Sequence, residues 1–110
     1  KHRRDSGPTP GTRFTLGNAA ERYQDRYWRE REFETVETLR PLAAAAGLRP
    51  TSLALAWVLA EPGITAPIVG ASRPEQLDDA IAATEKPLDA ALKARLDEIT
   101  VDYRRGDDPR

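Results

Sequence analysis

The sequence contains no cysteine, and its large apolar side chains are few. Without cysteine, the chain can form neither a disulfide framework nor a metal site built on thiolates. Hydrophobic residues make up 39% of the 110 residues, and 17 of them are alanine. Alanine buries little apolar area, and a small domain buries a modest share of its surface in any case. We therefore expect a small core and poor folding of the chain on its own.

Positive and negative charges are nearly balanced: the chain has 17 basic and 18 acidic residues, for a net charge of -1. Charges mixed in this way indicate a solvated surface and argue against a basic tract for nucleic acid or anionic lipid. No apolar run approaches the ~20 residues that cross a bilayer, and no signal peptide is visible. We expect no nucleic-acid partner, no membrane partner and a cytoplasmic location.

The periodicity of apolar residues predicts a mostly helical chain. Residues 1–18 are rich in Gly and Pro and predict a long loop, and residues 103–110 predict a polar tail. Between them, apolar positions recur at helical spacing. The predicted helices cover residues 19–31, 33–46, 51–60, 72–84 and 88–99. Pro41 conflicts with the second helix, whereas Gly47 stands where a helix C-cap is expected.

One short segment, Ile64 to Val69, reads as a buried strand because it is apolar and bounded by Gly63 and Gly70. A single strand has no partner for its backbone N–H and C=O groups. Either the segment pairs with something outside this chain, or it is not a strand.

The junction after this segment holds the residues that could bind a ligand. Gly70 lets a ligand approach the backbone, and Ser72 supplies a hydroxyl at the start of a helix. A helix N-terminus presents unpaired N–H groups and a partial positive charge, which suit phosphate. Arg73 can hold a phosphate through two donors. Gln76 and Asp79 follow on the same rim, within reach of a base or ribose.

The same residues also have a simpler explanation. Ser72 and Glu75 form an S-x-x-E capping box, with Pro74 in the first turn. Capping boxes are common, so the residues by themselves favour an ordinary capped helix with a solvated Arg73.

A family resemblance changes this balance. The stretch TSLALAWVLAEPGITAPIVGASRPEQLDDAIAA, residues 51–83, closely resembles the C-terminal signature of the aldo-keto reductases. The start KHRRDSGPTPGTRF resembles the family's loop after the seventh barrel strand, and PLDAALKARLDEIT resembles its closing helix. The resemblance implies an α/β fold in which residues 1–110 are the C-terminal part of one TIM (β/α)8 barrel. The parts implied are the seventh helix, eighth strand, eighth helix and C-terminal helix, mostly helical when taken alone.

The resemblance also implies an activity and a cofactor. Members of the family reduce aldehydes and ketones to alcohols with NADP(H), so the implied partner is a small carbonyl or alcohol substrate. By the alignment, Gly70, Ser72 and Arg73 bind the adenosine 2′-phosphate end of the cofactor. Contacts to the adenosine are implied for Gln76 and Asp79.

The alignment implies two further cofactor residues in the N-terminal loop. Lys1 and Arg13 would approach the pyrophosphate and ribose. The next family position after Asp79 is usually Asn, and here it is Ala80, which removes an expected contact near the adenine. The family's catalytic Asp, Tyr, Lys and His lie on earlier strands and loops, so we expect no catalytic residue in this chain and no activity from it alone.

Two other functions remain open at this point. One is a non-catalytic, truncated or regulatory barrel of the same family. In any of these cases, an open barrel segment leaves edges exposed through which the chain could self-associate. The other is a helix-turn-helix DNA-binding module over LAAAAGLRPTSLALAWVL, although its second helix is apolar throughout and offers no side chains that read bases.

Overall fold

The computed structural model describes residues 4–104, and the secondary-structure elements in that range are all helices. The chain divides after Thr38 into two compact units, Lys1–Thr38 and Leu39–Arg110. The prediction of a mostly helical chain is confirmed. The α-helices are α1 (Ala20–Tyr27), α2 (Glu30–Ala45), α3 (Pro50–Leu59), α4 (Leu77–Glu85) and α5 (Ala90–Ile99). Three short 3-10 turns cover Arg4–Ser6, Pro74–Gln76 and Val101–Arg104.

In the first unit, the boundary between the first two helices lies a few residues earlier than the sequence predicted. The chain leaves the helical conformation at Trp28 (φ -102°, ψ 63°), so α1 ends at Tyr27 and α2 begins at Glu30. The first predicted helix is therefore confirmed, but it ends at Tyr27, four residues earlier than the predicted end at Arg31. The Trp28 ring packs edge-on against Phe14 and Phe33, at centroid distances of 5.2 and 4.9 Å. The break therefore lies within an aromatic cluster formed by Phe14, Trp28 and Phe33.

Helix α2 runs through Pro41 without interruption, which confirms the helix despite the conflicting residue. It ends in a Schellman motif at Gly47, which has φ +65°. The Leu48 N–H donates to the Ala43 carbonyl at 2.9 Å, and the Gly47 N–H donates to the Ala44 carbonyl at 3.0 Å. The predicted C-cap is confirmed, and the buried Leu48 leads the chain directly into the core.

The core of the second unit is small and half of it is alanine, as the composition predicted. Helix α3 contributes most to it, and its contact with α4 is the most extensive between helices in this unit. At the start of α5, the Asp89 carboxylate accepts a hydrogen bond from the Leu92 N–H at 2.8 Å and caps the helix. The buried hydrophobic residues are Ala43, Leu48, Leu53, Ala56, Ala83 and Leu96.

The predicted strand over 64–69 does not form; within the described residues this segment is irregular. It is also largely exposed: Ile68 is fully exposed, and Ile64 and Val69 are each about two fifths exposed. The physical reason is the one raised by the sequence, since a lone strand leaves its backbone groups without partners. Nothing between residues 4 and 104 supplies a second strand.

Between residues 4 and 104, no single helix is long and apolar enough to cross a membrane. Only α2 and α3 taken together reach that length and apolarity, and a bend of 85° separates them.

Candidate functional site

Ser72 and Gln76 are joined by two hydrogen bonds at the entry to α4. The Ser72 backbone N–H donates to Gln76 Oε1 at 2.9 Å, and the Ser72 hydroxyl donates to the same oxygen at 3.3 Å. The predicted capping box is wrong in its detail, because the first turn is a 3-10 turn whose N-cap is Arg73, without a side-chain cap. Gln76, one residue later than the expected Glu75, reaches back to the chain before the turn.

The residues on either side of Ser72 lie open to solvent. Gly70 and Arg73 are both exposed. A Cβ added at Gly70 would meet no atom within 4 Å, so a ligand has room to approach the backbone there. Arg73 has an extended backbone (φ -148°, ψ 145°) and stands at the start of the turn that leads into α4. The structure therefore places Gly70, Ser72, Arg73 and Gln76 on one short, accessible stretch.

Asp79 lies in the first turn of α4. It is buried, and its Oδ1 is 3.1 Å from Nη1 of Arg49. Arg49 is the residue immediately before the first turn of α3. The ion pair joins α4 to the start of α3, and its carboxylate is directed toward that helix. Sequence spacing alone placed Asp79 on the rim with Ser72. It could not predict the pairing with Arg49, because the acid and the base are 30 residues apart in sequence. The predicted adenosine contact of Asp79 stays a prediction.

The two remaining predicted cofactor residues belong to the first unit. Lys1 lies outside the described residues. Arg13 is exposed, and its guanidinium carbon lies over the Tyr23 ring at 5.6 Å from the centroid. Tyr23 and Tyr27 are four residues apart, a spacing that predicts an aromatic stripe on one face of a helix. The stripe is confirmed, since their rings stack at 6.1 Å with an interplanar angle of 24°.

A charged cluster that sequence reasoning missed lies in the second unit. The Lys93 ammonium contacts Glu61 Oε1 at 2.6 Å and Asp97 Oδ2 at 2.9 Å, and it lies 5.3 Å from the Trp57 ring centroid. The Trp57 indole N–H donates to Asp97 Oδ1 at 2.7 Å. Hydrogen bonds first to Glu61 and then to Asp97 raise the pKa of Lys93 above 10.5. The only sequence signal was the Lys93–Asp97 spacing of four residues.

This cluster joins the end of α3 to α5 and does not supply a general base. A lysine with a raised pKa keeps its proton at neutral pH and cannot serve as a base there. Trp57, predicted to be core, is half-buried and lies beside an apolar groove of about 260 Å³. Among residues 4–104, no group of three or more His, Cys, Asp or Glu side chains could hold a metal ion. We therefore take the accessible stretch around Ser72 as the candidate site in the described part of the chain.

Comparison with known proteins gives this stretch its context. The sequence pattern of the aldo/keto reductase family matches residues 2–101. The aflatoxin B1 aldehyde reductase member 2 of Mus musculus is 33% identical over 108 residues, which are 89% of this chain and 29% of that protein. The uncharacterized oxidoreductase YrpG of Bacillus subtilis (strain 168) is 42% identical over 64 residues, 58% of this chain and 20% of that protein.

A third relative is named as a channel subunit and not as a reductase or oxidoreductase. The putative voltage-gated potassium channel subunit beta of Schizosaccharomyces pombe is 33% identical over 82 residues, 67% of this chain and 24% of that protein. No solved structure shows a significant match to the chain. The chain spans between a fifth and a third of the length of these curated relatives. Since the family pattern covers nearly all of its residues, the chain belongs to the aldo/keto reductase family.

Proposed function

We propose that this chain is the C-terminal part of an NADP(H)-dependent oxidoreductase that reduces aldehydes or ketones to alcohols. In this proposal, the stretch from Gly70 to Gln76 binds the adenosine 2′-phosphate end of the cofactor. The complete protein is a (β/α)8 barrel, and its catalytic residues lie outside this chain. Family membership and the resemblance to named reductases and oxidoreductases support the proposal.

One observation carries the assignment of the phosphate site. Two donors of Ser72, the backbone N–H and the hydroxyl, converge on a single oxygen, Gln76 Oε1, at 2.9 and 3.3 Å. A phosphate oxygen is an acceptor of similar size and greater charge, so it would form stronger hydrogen bonds with the same pair of donors. Gln76 would then be released to contact the adenosine, as the family alignment implies. The residues present therefore fit the phosphate group.

The neighbouring residues complete the fit. Arg73 is exposed beside these donors and can approach a phosphate through two N–H groups. The open space over Gly70 admits the cofactor close to the backbone. Asp79, held by Arg49 at 3.1 Å, fixes the first turn of α4 against α3 and so keeps the site in place. The cofactor supplies the hydride when bound. The residues of this chain bind and orient its adenosine end.

The first experiment measures binding of NADP+ and NAD+ by calorimetry to the full-length protein and to its Arg73→Ala variant. Loss of a charged contact to the 2′-phosphate should weaken NADP+ binding by ~1.5–3 kcal/mol and leave NAD+ binding nearly unchanged, because NAD+ lacks that phosphate. Arg95→Ala is the matched control, since Arg95 is also an exposed arginine of the second unit but pairs with Glu98 on α5.

Equal weakening of both cofactors in Arg73→Ala would contradict a 2′-phosphate contact for Arg73. Failure of the intact protein to bind either nucleotide would overturn the reductase proposal itself.

A second candidate is a regulatory barrel without turnover. The resemblance to the putative potassium channel subunit beta favours it, because that name describes a channel component. The two candidates differ in catalysis. A full-length protein that binds NADP+ but reduces no aldehyde or ketone, and that lacks the Asp, Tyr, Lys and His tetrad upstream of this segment, would support the regulatory function.

A further inference from the structure

We propose that Tyr23 is a positioning residue that holds the Arg13 guanidinium in place for the pyrophosphate of the cofactor. The inference rests on the proposed function, since it requires a bound dinucleotide. It concerns a residue for which the family resemblance implies no catalytic role.

The contact itself is a cation lying over an aromatic ring. The Arg13 guanidinium carbon is 5.6 Å from the Tyr23 ring centroid, within the ~6 Å reach of a cation–π interaction. An arginine that stacks on a ring uses the face of its guanidinium. Its N–H donors lie in the plane of the group and still point outward to oxygen acceptors. A phosphate can therefore bind Arg13 while the contact with Tyr23 persists.

The Tyr23 ring is itself fixed in three ways. It is half-buried, it stacks on Tyr27 at 6.1 Å, and its edge meets Phe14 at 6.4 Å with an interplanar angle of 79°. Phe14 follows Arg13 directly, so the same ring contacts both the guanidinium and the next residue of the loop.

The loop that carries Arg13 is also fastened to α1 through its backbone. Gln24, beside Tyr23, donates from Nε2 to the Phe14 carbonyl at 2.6 Å. Before Arg13, the buried Thr12 donates from its hydroxyl to the Thr9 carbonyl at 2.7 Å. Backbone restraints on both sides leave the Arg13 side chain as the mobile part, and a long arginine loses much rotamer freedom when it binds. Tyr23 reduces that loss because it restricts the side chain before the ligand arrives.

The test is a double-mutant cycle on the full-length protein, with dissociation constants for NADP+ and NAD+ measured by calorimetry. Arg13→Ala should weaken both nucleotides by about tenfold or more, because the pyrophosphate is common to the two. Tyr23→Leu should weaken both by about two- to fivefold, the range of an exposed cation–π contact. Tyr23→Phe keeps the ring and should bind like the wild type.

The cycle separates positioning from a general effect on folding. In the Arg13→Ala background, Tyr23→Leu should cause no further loss, since there is no guanidinium left to hold. Arg26→Ala is the matched control. Its guanidinium lies over the Tyr27 ring at 5.4 Å, and its loss should leave both dissociation constants unchanged.

Three outcomes would overturn the inference. These are an unchanged affinity in Arg13→Ala, additive losses in the double variant, and a Tyr23→Phe variant as weak as Tyr23→Leu. They are distinct from failure of the proposed function, in which the wild-type protein would bind neither nucleotide. Because Arg73→Ala should affect NADP+ alone, the ratio of the two affinities also distinguishes the pyrophosphate contact from the 2′-phosphate contact.

Discussion

At the scale of single residues, Lys93 pairs with two carboxylates of the second unit. Its ammonium joins Glu61, which follows α3, to Asp97 of α5, and Asp97 also accepts the Trp57 indole N–H. Three side chains thus share one cation, and the pKa of Lys93 is raised by its hydrogen bonds to Glu61 and Asp97. A raised pKa means that the folded state binds the proton more tightly than the unfolded state.

From this we predict a pH-dependent stability effect. Lys93→Met should lower the midpoint of thermal unfolding of the full-length protein at neutral pH, because the ammonium contacts are lost. The contribution of Lys93 is complete below its ordinary pKa of 10.5 and disappears as the pH rises through the raised folded-state value. The difference between wild type and variant, followed by circular dichroism, should therefore shrink above pH 10.5.

Arg95→Met provides the comparison for Lys93→Met. The Arg95–Glu98 pair is exposed on the same helix, at 2.8 Å, and such pairs contribute little. A midpoint lowered as much by Arg95→Met as by Lys93→Met would contradict a special role for the shared cation.

At the scale of secondary-structure elements, the end of α2 decides how the chain enters the core. Gly47 adopts the left-handed conformation, and its carbonyl accepts a hydrogen bond from Lys86 Nζ at 2.9 Å. A Cβ added there would lie 3.0 Å from that Nζ atom. The glycine thus permits both the turn and the contact with the residue after α4.

We predict that Gly47→Ala destabilises the full-length protein by about 1–2 kcal/mol, the cost of a left-handed conformation in a residue with a side chain. Urea unfolding measures this directly. Gly63→Ala is the control, because Gly63 lacks a positive φ and an added Cβ meets no atom within 4 Å. It should be neutral or stabilising by up to about 1 kcal/mol. Equal destabilisation by the two substitutions would show that the turn is not the cause.

At the scale of the whole molecule, the second unit exposes several large apolar side chains between residues 68 and 81. Leu77 and Ile81, one turn apart on α4, are 43% and 55% exposed, and Ile68 before them is fully exposed. Soluble proteins rarely expose such side chains together. We expect the rest of the barrel to cover them in the complete protein, and the isolated chain to self-associate.

Hydrogen exchange followed by mass spectrometry tests this expectation. In the full-length protein, the amides of residues 64–69 should exchange slowly, because neighbouring barrel strands accept their hydrogen bonds. In the isolated 110-residue chain, the same amides should exchange rapidly. The amides of α3 serve as an internal reference, since their hydrogen bonds form within the helix. Rapid exchange of residues 64–69 in the full-length protein would contradict the barrel position assigned to this segment.

The sequence predicted local features well wherever one residue type settles the backbone. Gly47 as a C-cap and the stacked Tyr23 and Tyr27 follow from helical spacing and conformational preference. The family followed from the residues around Gly70 and Ser72, because a long, ungapped resemblance carries information that periodicity lacks. The position of the Ser72 site on an accessible stretch before α4 was likewise predicted.

Only the tertiary structure decided which side chains meet across long separations in sequence. Trp28, at the break between α1 and α2, packs against Phe14, and Asp79 pairs with Arg49. The segment 64–69 has the apolar sequence of a strand, yet it is irregular, because a strand is made by hydrogen bonds to another strand. The sequence by itself determined the helices and the family. Contacts between distant residues, which no local pattern encodes, determined which polar groups pair. Residues 64–69 form no strand because the described part of the chain holds no second strand to pair with them.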